Sequence, residues 1–138
     1  MEKLTSLNLT FDRVLIQPGQ PLVFGRARDR FVFGLPGNPA STMVTFELFA
    51  RAAVQIVGGQ DEPSLPLTLA TLTQDFRHKA GLKRFLPACL SDGARVTPLP
   101  WAGSSDVPAL ARANAFLVAD SDREHWKAGE LISVLQKS

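Results

Sequence analysis

The sequence predicts an α/β segment followed by an all-β one, and three observations carry that expectation. Apolar runs of strand character open the chain, a long stretch of helical period follows, and a polar break at residues 60–64 leads into many short strand-like runs. The expected division is therefore 1–60 and 64–138. In the first part, Arg13, Val14, Leu15 and Ile16 read as a strand that ends in the turn chemistry of Gln17, Pro18, Gly19, Gln20 and Pro21. The apolar runs 22–25 and 31–35 flank the charged segment 26–30, the pattern of a hairpin with an exposed loop. Neither run alternates strictly with polar residues, so at least one is expected to be buried on both faces.

From 39 to 57 the period changes to 3.6. Val44, Leu48, Ala52 and Ile56 form an apolar stripe widened by Met43, Phe46, Phe49 and Ala53. Thr45, Glu47, Arg51 and Gln55 are expected on the solvent side, with Glu47 four residues ahead of Arg51 in the favourable ion-pair order. Gly58 and Gly59 supply the stop. Beyond the break, strand-like runs at 67–72, 84–90, 94–99, 116–118 and 131–135 are divided by turns at 91–93 and 128–130, and a short helix is expected at 107–113. Several short strands so spaced make either a small antiparallel barrel or a sandwich.

Composition narrows the function classes. With 138 residues, 45% apolar, 20% charged and a net charge of +2, the chain has the make-up of a folded domain and no nucleic-acid surface is expected. The densest basic group, Arg77, His78, Lys79, Lys83 and Arg84, reads as a solvated face. One cysteine, Cys89, excludes an internal disulfide and a multi-thiolate metal site, and its apolar neighbours predict a buried, inert thiol. No signal peptide or membrane span is expected, which makes the cytoplasm the default location. His78 and His125 lack metal-ligand spacing, and no metal site is expected.

The stretch "GLPGNPAS" at 34–41 carries the chemistry. It joins an expected strand to the long helix, with Asn38 as a preferred N-cap and Pro39 at the first helical position, where its missing amide hydrogen costs nothing. Backbone amides at a helix start attract anions, Gly37 lets a ligand approach the backbone, and Pro36 stiffens the turn. Ser41 and Thr42 add hydroxyls. On these residues alone, two readings stay open: an oxyanion site, or a tight and well-capped connection without a ligand.

The segments "PGQPLVFG" at 18–25 and "VFGLPGNPASTMVTFELFARAAVQIVGG" at 32–59 resemble the C-terminal part of molybdopterin molybdenumtransferases, the MoeA-type family that includes the gephyrin E domain. "WAGSSDVPALARANAFLVAD" at 101–120 and "KAGELISVL" at 127–135 extend the resemblance over most of the chain. The resemblance implies part of a three-layer α/β molybdopterin-binding segment, then a small β-clip-like barrel. It implies molybdate insertion into adenylylated molybdopterin with magnesium assisting, and a site lined by Pro36, Gly37, Asn38, Pro39 and Ser41, with Ser104 at the family's Gly-Ser turn. Family lysines stand where this chain has Gln17 and Gln20, which weakens anion affinity because an amide carries no charge. Arg13 fits an upstream basic position, Arg84 is kept beside Phe85, Pro87 replaces a frequent arginine, and Ala115 replaces a glycine. A full member also carries N-terminal domains and a Gly-Gly-x-Ser-x-Gly phosphate loop that these residues do not contain. The expectation is a chain inactive alone, completed by the missing N-terminal portion or by a homodimer partner. The rival expectation is a non-catalytic binding or assembly module.

Overall fold

Phenylalanines set the first layer. The structure, a computed structural model, describes residues 7–137; the expectation that the N-terminus holds no leader rests partly on residues 1–6, which lie outside the described residues, as does Ser138. Strand β1 (Leu7–Phe11) pairs antiparallel with β3 (Val23–Ala27), and β3 with β4 (Arg30–Gly34), giving the order β1-β3-β4. Between β1 and β3 lies the two-residue β2 (Ile16–Gln17). The register Ala27↔Arg30 makes 28–29 the hairpin turn, with Arg28 at φ 57°. Phe24 packs against Phe11 and Phe33, and Phe11 meets Phe49 of the following helix. Two expectations are corrected. The strand foreseen at 13–16 shrinks to Ile16–Gln17, because the loop up to Gln20 closes through the Val14 amide donating to the Gln20 carbonyl at 2.9 Å. No strand of this sheet is buried on both faces: in β3 only Gly25 is fully covered, and Phe31 of β4 is exposed.

The expected helix spans Pro39–Val57 and stops at Gly58. It comprises α1 (Pro39–Thr45), a π-helical turn (Phe46–Ala50) and α2 (Arg51–Val57). The Arg51 amide reaches back to the Phe46 carbonyl, five residues away, which inserts an extra residue and turns the helix face by about 100°. This corrects the expected faces. Thr45 and Glu47 are buried, and Phe46 and Ile56 are exposed. The loop 17–21 covers Thr45: at Gly19 (φ +115°) a Cβ would stand 2.5 Å from Thr45 Cγ2, so only glycine permits this approach. Glu47 keeps its expected pairing with Arg51 at 3.5 Å. By length and composition alone the helix suffices to cross a membrane, contrary to the expectation that no stretch approaches a span; here Val44, Phe85 and Phe116 join it to the barrel in one apolar cluster.

After the break come β5 (Leu67–Leu72), β6 (Phe76–Arg77), β7 (Lys83–Ser91), β8 (Arg95–Pro98), α3 (Val107–Arg112), β9 (Ala115–Ala119), β10 (His125–Trp126) and β11 (Leu131–Gln136). Of the two architectures left open, the barrel forms, though not wholly antiparallel as expected, because β5 and β8 run parallel. β7 pairs with β8 and β9, β11 with β9 and β5, and β5 with β8, so five strands close into a ring without a free edge. Ala70, Leu72, Leu86, Val96, Leu117 and Val134 fill its interior. β6 and β10, two residues each, form a small separate ribbon that no run in the sequence announced. Cys89 is half-buried rather than buried, its thiol donating to the Arg112 carbonyl at 3.4 Å.

Candidate functional site

A register produces the site. β2 runs parallel to β7 with Gln17 opposite Arg84, so the start of the "PGQP" loop lies against the barrel wall. The Arg84 guanidinium donates through Nη1 to Gln17 Oε1 and through Nε to the Lys79 carbonyl at 3.1 Å. With Oε1 so engaged, the amide nitrogen of Gln17 remains a donor. The loop after β8 is pinned to the start of α1 by the Ala40 amide, which donates to the Ser104 carbonyl at 3.3 Å. These contacts border an open-mouthed cavity of about 370 Å³. Polar side chains of Arg84, Gln17, Gln20, Ser41, Ser104 and His78 line it together with Pro18, Pro21, Leu86, Trp101 and two glycines, Gly19 and Gly103.

Five of the ten residues singled out in the sequence meet at this cavity: Gln17, Gln20, Ser41, Arg84 and Ser104. Pro36, Gly37, Asn38 and Pro39, which lead into the helix that carries Ser41, do not line it, and neither does the exposed Arg13. The helix start also differs from expectation. Asn38 holds the N-cap position with extended backbone but makes no side-chain cap bond; Thr42 instead donates its hydroxyl to the Asn38 carbonyl at 3.0 Å and to the Pro36 carbonyl. The "GLPGNP" turn therefore positions Ser41 and receives the Ser104 loop. His78 and Trp101 are the site residues that sequence reasoning missed. His78 belongs to a basic group read as solvated, and only its neighbour Arg84 could have flagged it. Nothing local in the sequence marks Trp101.

Charge in the cavity is concentrated on Arg84. Lys83 is drawn away to Asp120 at 3.3 Å. Burial, followed by the nearby Arg84 charge, lowers the His78 pKa below its ordinary value, so the ring is neutral at neutral pH. Its Nδ1 accepts from the Lys79 amide at 3.0 Å, which leaves the hydrogen on Nε2. One fixed cation among neutral donors suits a small oxyanion. Magnesium does not fit the residues present: among the described residues, no group of three or more His, Cys, Asp or Glu side chains is placed to hold a metal ion.

Comparison with known proteins agrees with this architecture. The family model for the MoeA C-terminal region (domain IV) matches residues 69–137, half of the chain and nearly the whole barrel. The molybdopterin molybdenumtransferase of Staphylococcus aureus is 31% identical over 136 residues, and that of Bacillus subtilis 33% identical over 131. These alignments take in 96% and 93% of this chain but only 32% and 30% of those proteins, so the chain spans about a third of their length. The molybdopterin biosynthesis MoeA protein of Pyrococcus horikoshii superposes with a TM-score of 0.77 at 26% identity, over 93% of this chain and 32% of that one. The ring of strands, its short helix and the family match together place the chain in the MoeA C-terminal region (domain IV) family.

Proposed function

We propose that this chain is the C-terminal portion of a cytoplasmic molybdenum-inserting enzyme and supplies one wall of the site where molybdate enters adenylylated molybdopterin. In this reading residues 1–60 complete a three-layer α/β domain, and residues 64–138 are the barrel that leans over the site. The observation that carries it is the tethered Arg84 guanidinium lining one cavity with Ser104 and Ser41, at the start of the helix that follows "GLPGNP". Arg84 supplies the full charge for an oxyanion, and Gln17 fixes its orientation so that little order is lost on binding. The Ser41 and Ser104 hydroxyls and the Gln17 and Gln20 amides supply neutral donors. Pro36, Gly37, Asn38 and Pro39 act from behind by fixing the Ser41 turn, and Arg13 adds charge only at long range.

Turnover requires the phosphate loop and the metal-binding carboxylates of the remaining portion, because a half-site cannot align two reactants. The test is calorimetric titration of the purified chain with molybdate, together with co-expression with the N-terminal portion of a relative and an assay of cofactor formation. Arg84→Gln is expected to weaken molybdate binding at least about tenfold and to abolish cofactor formation in the paired protein. Unchanged molybdate affinity in Arg84→Gln would overturn the assignment of this cavity.

A further inference from the structure

Among the groups lining the cavity, His78 is the one whose charge can change near neutral pH. Its place is fixed by the small ribbon of β6 and β10. The His78 amide donates to the Glu124 carbonyl at 3.0 Å, and the imidazole stacks on Phe76 with ring centroids 6.2 Å apart. The half-buried His78 borders two spaces, the cavity that it shares with Arg84 and an open cleft of about 380 Å³. Arg77, Lys79, Glu124 and His125 complete the cleft. An anion in the cavity therefore leaves the ring within reach of water from the cleft.

Charged groups surround the ring from each neighbouring element. Arg84 comes from β7, Arg77 and Lys79 from its own segment, and Glu124 and His125 from β10 and the turn before it. Glu124, the acidic member of that set, is engaged with the Ala80 amide, which donates to its Oε1 at 3.4 Å. Burial first and the Arg84 charge second oppose protonation of the ring. A dianion held by Arg84 offsets that repulsion and adds an attraction of its own.

We propose that His78 makes anion binding proton-linked: it takes up one proton from solvent as the oxyanion settles at Arg84, and its imidazolium becomes the second cation of the cavity. In the neutral ring Nδ1 accepts from the Lys79 amide, so a hydrogen on Nδ1 would oppose the amide hydrogen and turn the ring away from it. Because the bound form holds one more proton, affinity rises as pH falls, until His78 is protonated in the free chain as well. This inference rests on the oxyanion reading of the same cavity and adds its pH dependence.

The experiment is calorimetric titration of the purified chain with molybdate, a dianion throughout, from about pH 6 to about pH 8.5. Wild type is expected to bind about tenfold more tightly at the acidic end, the scale on which one neighbouring charge acts on an imidazole. Repeating the titration in buffers of different ionisation enthalpy should show proton uptake on binding. His78→Gln, which cannot titrate, should give a flat profile and no proton uptake. His125→Gln should keep the wild-type profile, because His125 borders the cleft and not the cavity. Magnetic resonance of the two histidine rings needs no substitution: molybdate should move the titration of His78 to higher pH and leave that of His125 in place. A flat wild-type profile, a profile that survives His78→Gln, or one lost in His125→Gln would overturn the role of His78 while leaving the oxyanion reading intact. Molybdate affinity indifferent to Arg84→Gln at every pH would overturn both.

Discussion

Asp106 ties two parts of the site loop together. One carboxylate oxygen accepts from the Ala109 amide at 3.1 Å and caps α3, and the other accepts from the Ala102 amide at 3.0 Å, next to Trp101. The Ala102 bond first, the Ala109 bond second and the Arg112 charge more weakly hold its pKa below the ordinary value, against a small opposing effect of burial. Because the folded value lies below the unfolded one, the unfolded chain binds more protons in that window. The carboxylate's contribution to stability is therefore fully present above the unfolded value of about 3.9 and is lost as pH falls through the lower folded value. Asp106→Asn cannot titrate. Urea melts should show the variant less stable than wild type near about pH 6, with the gap narrowing toward about pH 2.5; a gap independent of pH would contradict this role. Residue chemistry of this kind was partly legible in the sequence. Pro39 at the first helical turn follows from a local rule, whereas the place of Arg84 on the cavity, in a group that local rules read as a solvated face, and the silent Asn38 side chain do not. The Thr42 hydroxyl ties the turn by donating to backbone carbonyls, a different bond from the amide-accepting one that a cap rule assigns to Asn38.

At the scale of elements, the long helix was legible in extent but not in orientation. Its ends at Pro39 and Gly58 obey proline and glycine rules that act within a few residues. Its buried face depends on a π-helical turn and on the 17–21 loop lying over Thr45, and neither is written in the 3.6-residue period. Likewise the five barrel strands could be found one by one from apolar runs, while their closure into a ring arises from pairings between distant strands such as β7 and β9. The cavity is a product of those pairings, which is why five of its twelve lining residues were foreseen as site residues and Trp101 was not. The seam between helix and barrel is the element-scale determinant of the site. Phe116 of β9 is fully buried there with Val44, Phe85 and Leu135. Phe116→Ala should destabilise the fold by about 3–5 kcal/mol, and the loss should appear in one cooperative transition because the seam holds both layers. A loss below about 1 kcal/mol would show that helix and barrel are stable independently of this contact.

Taken as a whole, the molecule buries its barrel well and its first layer poorly. The three-stranded sheet ends at β4, whose outer edge has no strand partner among the described residues. Phe31, Val54 and Val57 are 57%, 66% and 74% exposed, and with Phe33, Ala50 and Ala53 they line an open apolar groove between β4 and α2. Clustered apolar exposure beside an open strand edge is the form of an unfinished layer. The matched relatives are roughly three times as long, and the N-terminal portion is the partner we propose for this face. Since Val54 is largely solvent-exposed in this chain, Val54→Lys should change its own stability by no more than about 0.5 kcal/mol. The same lysine would bury an unpaired charge once the layer is completed, a cost that breaks an interface. Co-expression with the N-terminal portion of a relative, followed by size-exclusion chromatography and the cofactor assay, separates the two effects. Wild type should co-elute with that portion and restore cofactor formation, and Val54→Lys should elute alone, folded and without activity. Co-elution of Val54→Lys at wild-type yield would place the interface elsewhere on the surface.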